Sequence, residues 1–196
     1  MKKFLTFATF LIVILSSTSK VHSIEADVFI QSVVNRAAKT LGGNLNKKER
    51  IEKLKEIARD TVDIDGIGRY TLGSYKNDIT DSQMAEYKFL FREYFLKTFA
   101  SRLAEYSNPE IEVVSKKKLN KNYTMVSSIL VKTEQRPEVN IKWRVSTKNP
   151  DNLLIMNLII EGLSLARTQK EEFSSIIQSN NGDINALFTT LKDFVE

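Results

Sequence analysis

The sequence contains no cysteine, a single histidine and only three prolines among its 196 residues. The absence of cysteine excludes disulfides, thiol catalysis, iron–sulfur clusters and thiolate zinc sites. One histidine argues against a Ser-His-Asp triad and against a multi-histidine metal site. What is present, 42% apolar and 27% charged residues, is the composition of an ordinary globular protein. The length predicts one domain, with or without a processed segment.

The N-terminal residues have the layout of a secretory signal peptide. Lys2 and Lys3 precede an apolar run over residues 4–15, and a polar stretch leads to a predicted cleavage site after Ser23. The alternative is an uncleaved membrane anchor, but the run is about twelve residues long, whereas a bilayer requires roughly 20. Without cysteine, a lipoprotein anchor is chemically impossible. We therefore predict a cleaved signal peptide over residues 1–23.

Cleavage would change the chemistry that remains available to the protein. It removes the only histidine, His22, and three lysines, which lowers the formal charge from +5 to +2. The remaining single domain, residues 24–196, then has neither imidazole nor thiol, so histidine bases and histidine metal ligands are excluded from it. The small remaining charge and the predicted export argue against nucleic acid as a partner.

The hydrophobic period changes along the chain and predicts helices first and strands later. Two helices are predicted before a glycine-containing turn at residues 63–75, and a long helix begins after Thr80, where Gln83 completes a capping box. From Ile111 the period becomes two, and the clearest strand covers residues 139–146. Two further helices close the chain. This order predicts an α+β fold, with a curved antiparallel or mixed sheet of about four strands wrapped by helices.

Three charged features are candidates for chemistry, and each has a structural alternative. Asp60, Asp63 and Asp65 lack the glycine and distal glutamate of a calcium loop, so helix capping and solvation are favoured over a cation site. The run at residues 116–118 is predicted to lie between two strands, which favours a solvated lysine hairpin over contact with an anionic partner. Glu161 in an apolar strand is a candidate lone carboxylate that could instead point outward or pair with an arginine. The sequence offers no pair of side chains that could act as general acid and general base, and this disfavours an enzyme.

The apolar content of the long helix raises a separate question. Phe91, Phe95 and Phe99 are predicted to face the sheet, and the last two lie one turn apart on one helical face. The space between them and the sheet could be a filled core. If it is hollow, the ligand must be large and apolar.

Three sequence blocks in order resemble the MlaC-type family of bacterial periplasmic phospholipid carriers, also called toluene-tolerance proteins. They are residues 63–75 (DIDGIGRYTLGSY), 97–106 (KTFASRLAEY) and 161–165 (EGLSL), with Phe173 following. The resemblance covers about residues 25–195. Family members usually carry an aromatic residue and a Tyr-Asp pair ahead of the last block and an aromatic residue after it. This chain has Leu153, Met156, Asn157 and Gln169 at those places.

The resemblance implies a shuttle that carries phospholipid through the periplasm. Its partners would be an outer-membrane lipoprotein complex and an inner-membrane ABC transporter complex, and its role would be to maintain outer-membrane lipid asymmetry. The implied fold resembles the nuclear-transport-factor-like cone, with a lipid cavity and without cofactor, metal or membrane anchor, and the expected state is a monomer. A relative in the family is linked to hopanoids, so another lipid stays an alternative, as do a lipid-free adaptor and a carboxylate enzyme on the same fold.

The residues expected to contact lipid are apolar and come from the turn, the long helix and the strands. They are Leu72, Phe91, Phe95, Phe99, Val131, Val145, Leu158 and Ile160. Arg69 and Arg102 match recurrent family positions and are candidates for a phosphate contact near the cavity mouth. An ion pair with Asp63 or Glu105 is the alternative role for these arginines.

Overall fold

The computed structural model describes residues 24–106 and 109–196, so the predicted signal peptide lies outside the described residues. These residues form six α-helices, one short 3-10 helix and five strands. In chain order they are α1 (Ala26–Gly42), α2 (Lys47–Thr61), α3 (Ile64–Thr71), the 3-10 helix (Tyr75–Asn77), α4 (Asp81–Leu103), β1 (Ile111–Asn120), β2 (Tyr123–Leu130), β3 (Val139–Ser146), β4 (Leu154–Ile160), β5 (Leu163–Ser164), α5 (Leu165–Ser179) and α6 (Ile184–Val195). None of the described helices is both long enough and apolar enough to cross a membrane.

Local capping signals fix where the helices begin. The predicted capping box of α4 is confirmed: Thr80 Oγ1 accepts a hydrogen bond from the Gln83 backbone, and the Gln83 side chain accepts one from the Thr80 backbone. A second box starts α2, where the Asn46 and Glu49 side chains each accept the other's backbone N–H at 3.1 and 2.9 Å. Each box satisfies backbone donors that have no partner inside the helix.

The five strands form one antiparallel sheet in the order β1-β2-β3-β4-β5, which confirms the α+β class. Alternate residues of β2 and β3 are buried, as the period of two predicts. Ile141, Trp143 and Val145 of β3 point to the buried face, and Lys142 and Arg144 point to solvent. One face of the sheet is therefore covered by the helical layer and the other is open to solvent.

The structure adds a fifth strand to the predicted number of about four, because a turn interrupts the apolar stretch that begins with β4. The strand stops at Ile160, and Glu161 and Gly162 form a two-residue turn with φ values of 48° and 84° before β5 begins. Positive φ at both central residues is the geometry of a type I′ hairpin turn, which glycine adopts readily at the second position. The chain reverses here and enters α5 at once.

The lysine run also differs from its prediction. Lys116, Lys117 and Lys118 lie within β1 rather than in the hairpin that follows it. Since β1 is an edge strand with one unpaired side, exposed lysines there hinder pairing with another chain. Lys116 has a further contact: its ammonium lies 2.9 Å from Glu25 and 2.8 Å from Asp27 at the start of α1.

These contacts hold α1 along the edge of the sheet. The hydrogen bond from Lys116 lowers the pKa of Asp27. One turn further along α1, the Gln31 carbonyl accepts the Val113 backbone N–H at 3.2 Å, next to a β-bulge in β1. Since an edge strand leaves backbone groups unpaired, the Gln31 contact satisfies one of them. The result is a helix fixed beside the sheet by polar contacts on its outer side.

The long helix α4 packs against other helices rather than against the sheet. Its neighbours are α2, α3 and α6, and apolar residues around its circumference let it bury several sides. Helices α3 and α4 approach each other closely at Gly68, where an added Cβ atom would lie 2.7 Å from the Phe91 ring. Nearby, the buried Tyr87 hydroxyl lies 2.7 Å from Thr71 Oγ1 and donates to the Gly68 carbonyl. Burial raises the pKa of Tyr87 well above its usual range.

Candidate functional site: an apolar cavity beneath two helices

An apolar cavity of about 150 Å³ lies between the covered face of the sheet and the first two helices. Its walls come from α1, α2, the end of α4 and the chain that follows it, and β1 to β4. The lining residues are Val33, Val34, Ala37, Ala38, Leu41, Leu54, Ile57, Ala58, Thr61, Val62, Phe99, Leu103, Tyr106, Pro109, Ile111, Leu130, Val139, Ile141, Trp143, Ile155, Leu158 and Ile160.

The helical wall follows from the amphipathic pattern of α1 and α2. Their inward positions include three alanines, Ala37, Ala38 and Ala58, which leave space that longer side chains would fill. The opposite wall is formed by larger residues of the sheet, among them Trp143 and Ile155. A gap therefore remains where small side chains on the helices face the strands, although interiors are otherwise closely packed.

The two buried polar side chains in this wall, Trp143 and Thr61, already have partners within the protein. The Trp143 indole N–H donates to Ser128 Oγ at 2.8 Å, and Thr61 Oγ1 donates to the Ile57 carbonyl at 2.7 Å. An incoming ligand therefore meets methyl, methylene and aromatic groups. Such a lining favours hydrocarbon and would penalise an unpaired polar group or charge.

The most exposed part of the cavity wall lies at the end of the sheet where β2 ends and β3 begins, and we take it as the cavity mouth. Tyr106 is the exposed member of the lining, with 39% of its surface accessible, and the neighbouring Val139 and Ile160 are half-buried. The deeper lining, including Leu54 and Ile155, is buried. A ligand that enters here would place its leading end against α2 and leave its trailing end beside Tyr106.

The expected lipid contacts are only partly brought together. Phe99, Leu158 and Ile160 line the cavity. The other five do not: Leu72 ends α3 in the packed core, Phe91 and Phe95 lie among the helices, Val145 is fully buried further along β3, and Val131 follows β2. Contact of all eight with lipid stays a prediction.

The expectation that Phe91 faces the sheet is corrected by the position of α4. Phe91 contacts Phe173 edge to face with ring centroids 6.2 Å apart, and Phe95 stacks on Phe99 at 5.5 Å. Because α4 packs among helices, only its last turns reach the cavity. The residues that sequence reasoning missed are the small and aliphatic residues of α1 and α2. The sequence signal for these residues was the amphipathic pattern of α1 and α2. That pattern shows which face of each helix points inward, but not that a cavity separates this face from the sheet.

The two arginines that were candidates for a phosphate contact lie on the exposed surface. Their alternative partners are engaged elsewhere: the Asp63 side chain accepts the Gly66 backbone N–H at 2.9 Å, and Glu105 pairs with Lys47. Within the described residues, neither Arg69 nor Arg102 lines the cavity or forms an ion pair.

The acidic candidates have structural contacts. Asp63 caps α3, Asp60 pairs with Arg36 and Asp65 pairs with Arg92, the two ion pairs at 2.8 and 2.7 Å. Capping is therefore confirmed for Asp63, whereas Asp60 and Asp65 form ion pairs that the sequence did not predict. The Glu161 carboxylate is exposed and accepts the Asn140 backbone N–H beside the β4–β5 turn.

Two positions that depart from the usual family pattern have defined contacts. The Asn157 amide donates to Ser164 Oγ at 2.8 Å, and its carbonyl accepts the Ala166 backbone N–H at 3.1 Å, which joins β4 to the start of α5. The Gln169 carbonyl accepts the Tyr94 hydroxyl at 2.9 Å and links α5 to α4. These side chains hold α5 against the rest of the fold.

A family model described as MlaC protein matches residues 30–193. The chain belongs to the MlaC family. A solved structure with a similar fold is the phospholipid-binding protein from Ralstonia solanacearum in complex with a phospholipid. It is 19% identical, the match covers 88% of this chain and 97% of that chain, and the TM-score is 0.73. No curated protein sequence matches the chain.

Membership in the MlaC family confirms the sequence resemblance, and the structure shows where the three blocks lie. The first block builds α3 and the turn after it, and the last block forms the β4–β5 turn and the start of α5. Only the middle block reaches the cavity, where Phe99, Leu103 and Tyr106 contribute to its wall. Two of the blocks that identify an MlaC protein therefore specify its framework.

Proposed function

We propose that this protein is a phospholipid carrier that holds the acyl chains in the cavity beneath α1 and α2. The observation that carries the proposal is an apolar cavity between helices and sheet in a member of the MlaC family. The similar fold of a phospholipid-binding protein solved with its ligand supports the same assignment. The buried polar side chains of the cavity wall, Trp143 and Thr61, are already hydrogen-bonded, which suits hydrocarbon chains.

The affinity for lipid would come from removing hydrocarbon from water. Each buried methylene contributes about 0.8 kcal/mol, so two chains of roughly 16 carbons would contribute on the order of 20 kcal/mol relative to exposure in water. Spontaneous release into water would then be negligible. Transfer requires docking to a membrane complex that receives the chains directly.

The size of the cavity implies that the helices move when lipid enters. A volume of about 150 Å³ lies below the roughly 300–1,000 Å³ of sites that hold drug-sized ligands. Two acyl chains therefore need a wider space, which α1 and α2 would provide by moving away from the sheet. Lipid binding selects this wider state because only that state buries the chains.

We further propose the cellular setting that the resemblance implies. Residues 1–23 would be removed on export, and the mature protein would diffuse through the periplasm without an anchor, as a monomer. It would exchange phospholipid between an outer-membrane lipoprotein complex and an inner-membrane ABC transporter complex, and so maintain outer-membrane lipid asymmetry. No chemical step is assigned to the carrier, since the Glu161 carboxylate is bonded at a turn outside the cavity.

Native mass spectrometry of the purified mature protein tests the carrier function. We expect the protein to carry a non-covalent adduct with the mass of a diacyl glycerophospholipid, or to acquire one from vesicles of phosphatidylglycerol and phosphatidylethanolamine. A hopanoid mass would instead identify another lipid as the cargo. A protein that neither retains nor acquires any lipid would be the adaptor of the alternative hypothesis, and the carrier proposal would fail.

A further inference from the structure

Arg136 lies beside the cavity mouth with an unusual combination of contacts. It ends a tight turn in which the Thr133 backbone N–H donates to the Arg136 carbonyl at 2.8 Å and the Arg136 N–H donates back at 3.3 Å. The side chain folds back towards the end of β2, where its terminal nitrogen donates to the Val131 carbonyl at 3.2 Å. The turn and this hydrogen bond hold the guanidinium in one position.

The guanidinium packs on the exposed residue of the cavity lining. Its central carbon lies 5.6 Å from the centre of the Tyr106 ring, a cation–π distance. Tyr106 forms the rim through which a ligand would enter. Arg136 therefore carries a fixed positive charge at the point where the apolar wall ends.

Part of the hydrogen-bonding capacity of Arg136 is unused. Its Nε–H is buried and has no hydrogen-bond acceptor among the described residues. Arg136 also takes part in none of the ion pairs among the described residues, although Glu134 and Glu138 are its neighbours in the chain. A buried donor without an acceptor is costly, and a charged donor more so, so an anionic acceptor at this place would be stabilising.

We propose that Arg136 binds the phosphate of a lipid whose acyl chains occupy the cavity. This inference rests on the proposed carrier function. The carrier proposal describes only how the acyl chains are bound, and Arg136 adds a contact to the head group. A guanidinium matches phosphate oxygens better than an ammonium does, because its planar N–H groups donate in pairs. The sequence analysis considered Arg69 and Arg102 for a phosphate contact near the cavity mouth, but neither residue lines the cavity. Arg136 would make this contact instead. The selectivity would favour phosphate-bearing lipids over uncharged diacylglycerols.

The test compares two lipids that differ only in the head group. Vesicles containing either dioleoyl phosphatidylglycerol or dioleoylglycerol are incubated with delipidated protein, and uptake is measured by native mass spectrometry. Arg136→Gln is expected to lower the affinity for phosphatidylglycerol about tenfold or more, the range of a lost charge-assisted hydrogen bond, and to leave uptake of diacylglycerol unchanged. Arg136→Lys should recover part of the loss. Arg144→Gln, an exposed change on the opposite face of β3, is the matched control and should have no effect.

The outcomes separate this proposal from the carrier function. Suppose that wild-type protein takes up both lipids and that Arg136→Gln leaves both uptakes unchanged or lowers them equally. The carrier function then stands, and the head-group role of Arg136 is overturned. If wild-type protein takes up neither lipid, the carrier function fails and this proposal fails with it. A third arm adds inorganic phosphate alone: thermal stabilisation that depends on Arg136, without any preference between the two lipids, would indicate a free-phosphate site and also overturn the head-group role.

Discussion

Replacing Ala58 with phenylalanine is expected to abolish lipid loading while the protein remains folded. Ala58 is a buried residue of α2 whose side chain lines the cavity. The added phenyl ring is the size of benzene, and an apolar cavity of about 150 Å³ is large enough to hold benzene. The ring of Ala58→Phe would therefore occupy the space that acyl chains must enter. Excluding only two methylenes would lower the affinity about tenfold, and excluding more would remove loading altogether.

The measurement is lipid stoichiometry by native mass spectrometry, with thermal unfolding followed by circular dichroism. Ala85→Phe is the matched control, because Ala85 is an exposed position of α4 and the same ring there leaves the cavity unchanged. Full loading of a folded Ala58→Phe protein would contradict the assignment of this cavity to lipid. Loss of loading in both variants would show a general effect of the added ring.

The opposite change, enlarging the cavity, is expected to destabilise the protein only when lipid is absent. Leu54 is buried in the cavity wall, and Leu187 is buried in α6 away from it. In delipidated protein, Leu54→Ala and Leu187→Ala should each lower the free energy of unfolding by about 2–5 kcal/mol. In loaded protein, acyl chains can fill the space left by Leu54 but cannot reach the space left by Leu187. Most of the Leu54→Ala loss should therefore disappear on loading.

Denaturant unfolding of both variants and the wild type, each with and without lipid, gives the comparison. Lipid that binds only the folded state stabilises every variant by mass action, so the informative quantity is the difference from wild type under each condition. The account requires that lipid shrink this difference for Leu54→Ala and leave it unchanged for Leu187→Ala. If lipid changes the difference from wild type by the same amount in both variants, the acyl chains do not lie in this cavity.

Local signals in the sequence were sufficient for the element order and the fold class. The Thr80–Gln83 box fixed the start of α4, and alternation predicted β3 with its buried face. The β4–β5 turn was missed because a positive φ at Glu161 is not evident from an acidic residue that follows a strand. Helix caps and strand alternation can be read from the types of neighbouring residues. This turn cannot, because the backbone conformation at Glu161 does not follow from its residue type.

The position of the cavity could not be predicted in the same way. The sequence showed which face of each helix is apolar, but not that α1 and α2 would lie opposite the sheet while α4 packs among helices. Phe99 lines the cavity because the end of α4 reaches it, whereas Phe91 does not. Nothing in the sequence indicated the role that we propose for Arg136, since that role depends on Tyr106, which is 30 residues away in the chain.

The chain contains a single tryptophan, Trp143, and this residue lines the cavity. Its fluorescence therefore reports directly on whether acyl chains lie beneath α1 and α2. The decisive measurement loads the protein with phosphatidylglycerol brominated along the acyl chains and compares its emission with that of protein loaded with the unbrominated lipid to the same stoichiometry. Bromine atoms in the cavity would lie in contact with the indole ring, so strong quenching is predicted. Equal emission from the two loaded proteins would contradict the claim that this cavity holds the lipid.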